Sequence, residues 1–378
     1  MNDYQLFDLY TDYLMCSMGQ ATSTTMSRML EGAVSHDRIS RLLGKREWTP
    51  KNFWLFIKPL VRKTESPDGI IKIDDTIEHK PHSSENALIC WHYDHSLGRN
   101  VKGINILNFI YEPNPNNLAN FSYPISFELT RKTEQYLDSK TGKIKRRSDK
   151  KKNDVFRTRL RILQFLNKVS YRTLLWDSWF SSNENMDMVH KELKKTFIGA
   201  IKDNRLVALS LEDKQAGKFT KINRLDWHTT KQRKVYLKGL DFPVQIVQQV
   251  FTNKDGSVGE LFLVTNDLKL SYHYITSTYN KRWDVEVYHR SLKQNVCLEK
   301  SPTKTERTQA NHIFASIVAW VKLEFLSKKQ QQTHYAFKAQ LYVGAIQTAF
   351  CQLQKLKAVA MKLLPRPEQQ LLLAAKDN

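Results

Sequence analysis

The chain has little of what would staple, anchor or export a protein. Only four of its 378 residues are cysteine (Cys16, Cys90, Cys297 and Cys351), scattered and with no CxxC pair. That excludes a disulfide scaffold and suits free thiols in a reducing cytoplasm. Long apolar runs are missing as well. The most apolar stretch, Ile313 to Val321, is cut by Lys322, far short of the ~20 residues that span a bilayer. The start, MNDYQLFDLY, lacks the basic and apolar regions of a secretory signal. No internal repeat is evident, and a hydrophobic fraction of 41% argues against wholesale disorder.

Acidic residues are also scarce. Against 59 Lys and Arg stand 38 Asp and Glu, a net charge of +21. With no membrane segment, such a surplus points to nucleic acid as the partner. The surplus is concentrated. Residues 130–170 hold 14 basic and 4 acidic side chains, and residues 191–240 hold 13 and 5. The first 60 residues hold 7 and 6. The centre of the first block, Lys140 to Lys152, is expected to contact a phosphate backbone.

Apolar spacing predicts helices through residues 1–60, with Ser35 as the N-cap of a short helix starting at His36. This segment, taken as 1–65, is either a DNA-reading module or a packing element. Ile70–Ile73, Val101–Tyr111, Tyr123–Leu129, Thr173–Trp176 and Phe197–Ile201 read as strands. Val155–Leu166 and Asn185–Lys195 read as helices. Strands followed by alternating helix and strand predict an α/β layer structure with a mixed sheet. Residues 206–267 read as a β-rich insertion with strands at Val235–Leu237, Val244–Thr252 and Glu260–Thr265, the last two joined by a turn at Asn253–Ser257. A long helix is expected over Ser271–Val296, then helices over Thr305–Leu326 and His334–Leu356. The core would thus comprise 66–205 and 268–330, with 331–378 a C-terminal helical segment. Within the insertion, Trp227 could either stack on an unpaired base or pack as a strand residue.

Carboxylates mark the ends of two strands: Asp74 and Asp75 on the first, Asp177 on the second. α/β sheets place their sites at such edges. On a continuous helix at ~100° per residue, Tyr279, Arg282, Glu286, Arg290 and Lys293 share one stripe. Val285, Tyr288, Leu292 and Val296 share a second, apolar stripe suited to burial. The first stripe is either a solvated face or, as one acid flanked by four groups able to bind phosphate oxygens, part of a site that with the aspartates points to acid-dependent metal chemistry. A rival pattern, His79, His82, Cys90, His92 and His95, contains zinc-binding residue types, but its spacing matches no common zinc module.

The stripe Tyr279-x2-Arg282-x3-Glu286-x6-Lys293 resembles the Y(2)R(3)E(6)K signature of bacterial insertion-sequence DDE transposases of the family numbered four. Ile73-Asp74-Asp75-Thr76 and Leu175-Trp176-Asp177-Ser178-Trp179-Phe180 are similar to that family's first and second motifs. The resemblance covers residues 65–330. It implies an RNase H-like core with a β-rich insertion, and a triad of Asp75, Asp177 and Glu286 acting as catalytic residues and metal ligands. Asp74 is the alternative first acid, since neighbours on a strand point to opposite faces. An oxygen-only carboxylate cluster implies Mg2+ or Mn2+, as two ions. The resemblance further implies DNA contacts by Tyr279, Arg282 and Lys293. Arg290 joins them from the helical wheel. The implied activity is binding of terminal inverted repeats as a homodimer, metal-dependent cleavage, and joining of the 3′-OH end to target DNA.

Overall fold

In the computed structural model, residues 1–114, 121–139, 141–252 and 255–360 are described, residues 358–360 by their backbone alone. Lys140, Asn253, Lys254 and the end of the expected C-terminal helical segment lie outside them. The chain divides into two compact units, Met1–Val321 and Lys322–Asn378.

Four helices come first: α1 (Asp3–Cys16), α2 (Ser23–Met29), α3 (His36–Lys45) and α4 (Pro50–Thr64). Ser35 caps α3 as its sequence predicts, its hydroxyl accepting from the Arg38 amide. Then follow β1 (Ile70–His79), β2 (Cys90–Asp94), β3 (Arg99–Glu112), β4 (Tyr123–Leu129), and a ribbon of β5 (Glu134–Leu137) and β6 (Ile144–Arg147). Next come α5 (Lys152–Arg161), continued by a π-helical turn to Leu166, then β7 (Thr173–Trp176), α6 (Asn183–Asp187) and β8 (Thr196–Ile201). The segment read as an insertion supplies β9 (Leu206–Ala208), α7 (Leu211–Gln215), β10 (Thr220–Lys221), β11 (Gln232–Leu237), β12 (Val244–Thr252) and β13 (Val258–Thr265). Helices α8 (Tyr272–Asn280), α9 (Trp283–Asn295), α10 (Glu306–Lys329) and α11 (His334–Ala360) complete the described chain.

The core sheet runs β4-β3-β1-β7-β8. Its first three strands are antiparallel, and β1, β7 and β8 are parallel. This is the mixed α/β, RNase H-like sheet expected from the sequence. The insertion does not stand apart from it. β13 pairs antiparallel with β8, and β12, β11, β9 and β10 extend the same sheet outward. Trp227 is buried there, its indole N–H donating to the Ile222 carbonyl at 2.8 Å beside Phe262. It is a packing residue.

The long helix expected over Ser271–Val296 is two helices. Between α8 and α9 the backbone tightens to i→i+3 bonds, Arg282 to Tyr279 and Val285 to Arg282. The two residues at the break, Lys281 and Arg282, are good helix formers. The break is tertiary: Lys281 Nζ reaches Glu112 at 3.0 Å and Arg282 Nη1 reaches Asp74 at 2.7 Å, both on core strands.

Buried ion pairs dock α9 on the sheet. Lys72, on the same face of β1 as Asp74, is fully buried. Its ammonium pairs with Glu112 Oε2 at 2.6 Å and with Asp284 in the first turn of α9. Burial pushes the Glu112 carboxyl up, but Lys72 and Lys281 outweigh it and hold the group below its usual range. Removing one partner of a buried pair costs roughly 3–5 kcal/mol, because the other is left uncompensated. Lys281 would still hold Glu112, so Lys72→Met should cost about 3 kcal/mol in denaturant melts. A loss under 1 kcal/mol would rule out this anchoring.

His312, in α10, is buried between α1 and the loop after α9. Its Nε2 donates to the Cys297 carbonyl at 2.8 Å, which leaves Nδ1 to accept from the Tyr10 hydroxyl at 2.9 Å. Burial lowers its pKa to about 4. The folded state thus binds fewer protons than the unfolded one between pH 6.5 and about 4, so stability falls as pH drops through that window. The loss is of the order of 3 kcal/mol. Urea melts across that range should show a shallower acid slope for His312→Asn, by about one proton. An unchanged slope would mean that His312 is not held neutral.

Candidate functional site

Both motif aspartates of β1, the aspartate after β7, and the glutamate of α9 open on one groove of about 790 Å3. Its position follows from the sheet. Ile73 pairs with Trp176 in parallel register, so Asp74 and Asp177 are the next residues on neighbouring strands. Neighbours in register point to the same face. Asp177 also caps the short 3-10 turn Ser178–Phe180, its Oδ1 accepting from the Trp179 amide at 3.0 Å.

Asp74 lies on the face covered by α9. Its Oδ1 accepts from the Asp75 amide at 2.8 Å, and its Oδ2 meets Arg282. The same guanidinium nitrogen lies 3.6 Å from Glu286 Oε1, so one cation is shared by the β1 aspartate and the α9 glutamate. Asp75 points instead to Asn105, whose amide donates to Oδ2, and to the Lys152 ammonium at 2.9 Å from the same oxygen.

Burial and crowding together push these carboxyls up. Burial first, then the charges of Asp177, Asp75 and Glu286, push the Asp74 carboxyl up to about 8 against the pull of Arg282. Burial and Asp75 raise Asp177, opposed by the Trp179 amide, Arg282 and Lys152. Among the described residues no three acidic, histidine or cysteine side chains stand close enough together to ligate one ion. Arg282 bridges Asp74 and Glu286, and Lys152 pairs with Asp75. The donor set, oxygen alone and under mutual repulsion, nevertheless fits a hard divalent cation.

Helix α9 is held by a row of polar contacts. Besides Asp284 to Lys72, His289 Nε2 meets Asn108 Nδ2 at 3.0 Å on β3, and Lys293 Nζ donates to the Ile77 carbonyl at 2.8 Å. Burial drives the His289 pKa to about 3, so it packs as neutral imidazole. Lys293 also pairs with Glu299 at 3.1 Å. Glu286, by contrast, has 40% of its side chain exposed and faces the groove, as does Arg290.

Tyr279 departs from the expected stripe. It does not line the groove onto which Glu286 opens. It is buried in the cluster of Ile70, Leu175, Ile198 and Ile275, with the Arg282 guanidinium 5.8 Å from its ring centre. Burial raises its hydroxyl to about 12. It therefore supports Arg282 and does not line the groove. Asn105, Lys152 and the half-exposed Trp179, with the Lys152 and Lys202 ammonium groups 5.9 and 5.6 Å from its ring centre, were not legible as groove residues. Only the Lys140–Lys152 charge run hinted at Lys152. Of the histidine-rich segment, Cys90 Sγ meets His92 at 3.3 Å and His79 meets Asp94 at 3.1 Å, on β1 and β2.

Comparison with known proteins agrees with this arrangement. Residues 143–322 match the transposase DDE domain. Over 87 residues, 22% of this chain, it is 32% identical to the probable transposase for insertion sequence element IS5377 of Geobacillus stearothermophilus; the match spans 23% of that protein. Residues 4–218, more than half the chain, match the DDE superfamily endonuclease family, and the chain belongs to that family.

Proposed function

We propose that the chain is a DNA transposase of the insertion-sequence type, and that its YREK motif marks the family-four subtype. The observation that carries this reading is that Asp74 and Glu286 share the Arg282 guanidinium and open, with Asp177, on one groove also lined by Lys132, Lys150, Lys152, Arg290 and Lys293. In the proposed reaction it binds terminal inverted repeats as a homodimer, cleaves them, and joins the freed 3′-OH to target DNA.

Asp74 replaces Asp75 as the first acid of the triad in this reading. Asp74 shares the face of α9 and the partner of Glu286, whereas Asp75 is held by Asn105 and Lys152. Asp74, Asp177 and Glu286 would hold a divalent cation of the Mg2+ or Mn2+ type, as one or two ions, which would supply an activated oxygen nucleophile and neutralise charge on the departing oxygen. Arg290 and the groove lysines orient the phosphodiester and offset its charge. Arg282 would offer its guanidinium to a phosphate beside these carboxylates, with the Tyr279 ring beneath it. Lys293 fixes the far end of α9 through Ile77.

Asp177→Asn and Glu286→Gln should reduce Mn2+-dependent nicking of DNA bearing the element's ends to background, while gel shifts show end binding intact. Cleavage by either variant at the wild-type rate would refute the triad. Asp74→Asn should behave like Asp177→Asn, whereas Asp75→Asn should keep nicking within about tenfold of wild type, the loss of a supporting contact. The reverse order would return the first position to Asp75.

A further inference from the structure

The β5–β6 ribbon is the described strand pair that the core sheet does not absorb. Leu137 and Ile144 face each other across it and are 70% and 71% exposed. A lone two-stranded ribbon is marginal in water, and this one turns its aliphatic pair to solvent. It holds its register through polar pairs instead. Arg147 Nε meets Glu134 at 2.7 Å and stacks over Tyr136, and Lys145 pairs with Asp138.

Charge indicates what covers the aliphatic pair. Between residues 143 and 152 stand seven basic side chains and one acid. A partner for that surface is a polyanion. The ribbon is also continuous with the acidic groove, since Ser148, Lys150 and Lys152, which follow β6, line it. A two-stranded ribbon fits the major groove of B-DNA, and aliphatic side chains between basic ones suit base edges between phosphates.

We infer that the β5–β6 ribbon enters a groove of the DNA duplex leading to the carboxylates, with Leu137 and Ile144 against base edges and the basic residues after them along the backbone. The inference rests on the transposase reading and names a surface that reading does not use. The test is duplex binding by fluorescence anisotropy, without divalent cation and over a series of KCl concentrations. Because both side chains are exposed, Leu137→Ser/Ile144→Ser should melt at the wild-type temperature. Its Kd should rise about tenfold with an unchanged slope against log salt, since no phosphate contact is lost. Lys143→Gln/Lys151→Gln should flatten that slope. An unchanged Kd for the serine variant overturns the inference. So does a serine variant that keeps duplex affinity but loses self-association in sedimentation, which would make a second copy the occupant. A wild-type chain that binds no duplex at all would overturn the transposase reading with it, a result separable from the other two.

Discussion

The site depends on how one helix is fixed to one strand. Lys72 lies fully buried beneath the start of α9, and a buried ammonium is tolerable only where carboxylates surround it. Glu112 on β3 and Asp284 on α9 provide them. Sliding α9 by one turn would strand that charge, so the ion pair fixes register as well as position. Arg282 to Asp74, His289 to Asn108 and Lys293 to the Ile77 carbonyl repeat the logic along the helix. Glu286 is thereby set near Asp74 and near Asp177 just past β7. Asp74 lies in the middle of β1, not at its end as the sequence suggested, because β1 runs on to His79 against β3.

A second constraint opposes the first. Carboxylates gathered at a partly buried sheet edge repel one another, and burial makes each charge costlier. The raised Asp74 and Asp177 are the signature of that cost. Arg282 and Lys152 offset it within the chain. An arrangement that weakens the fold locally and is compensated by side-chain cations is expected at a functional site. It also explains how a strongly basic protein can present an acidic floor. In the proposed reading, the basic residues that line the groove would hold a DNA backbone against its carboxylates.

Much of this was legible in the sequence, for identifiable reasons. β7 falls within its apolar run because continuous burial writes itself into composition, and β4 and β12 keep the β-forming residues that mark their extent. Asp177 was legible because it ends such a run. The α8–α9 break was not, because Lys281 and Arg282 favour helix and only distant carboxylates on β1 and β3 interrupt it. The burial of Tyr279 beneath Arg282 was likewise not legible, because it depends on the cluster of strand residues it packs into. The choice between Asp74 and Asp75 needed strand register, which the sequence does not hold. The β5–β6 ribbon was hidden because its few apolar residues are exposed, and the basic run around it reads as a loop.

The central claim is that Asp74, Asp177 and Glu286 form one divalent-cation site. Mn2+ binding followed by electron paramagnetic resonance tests it without DNA or turnover. The account predicts saturable binding by the wild-type chain, weakened by more than about tenfold in both Asp177→Asn and Glu286→Gln. Equal Mn2+ affinity in wild type and both variants would contradict it.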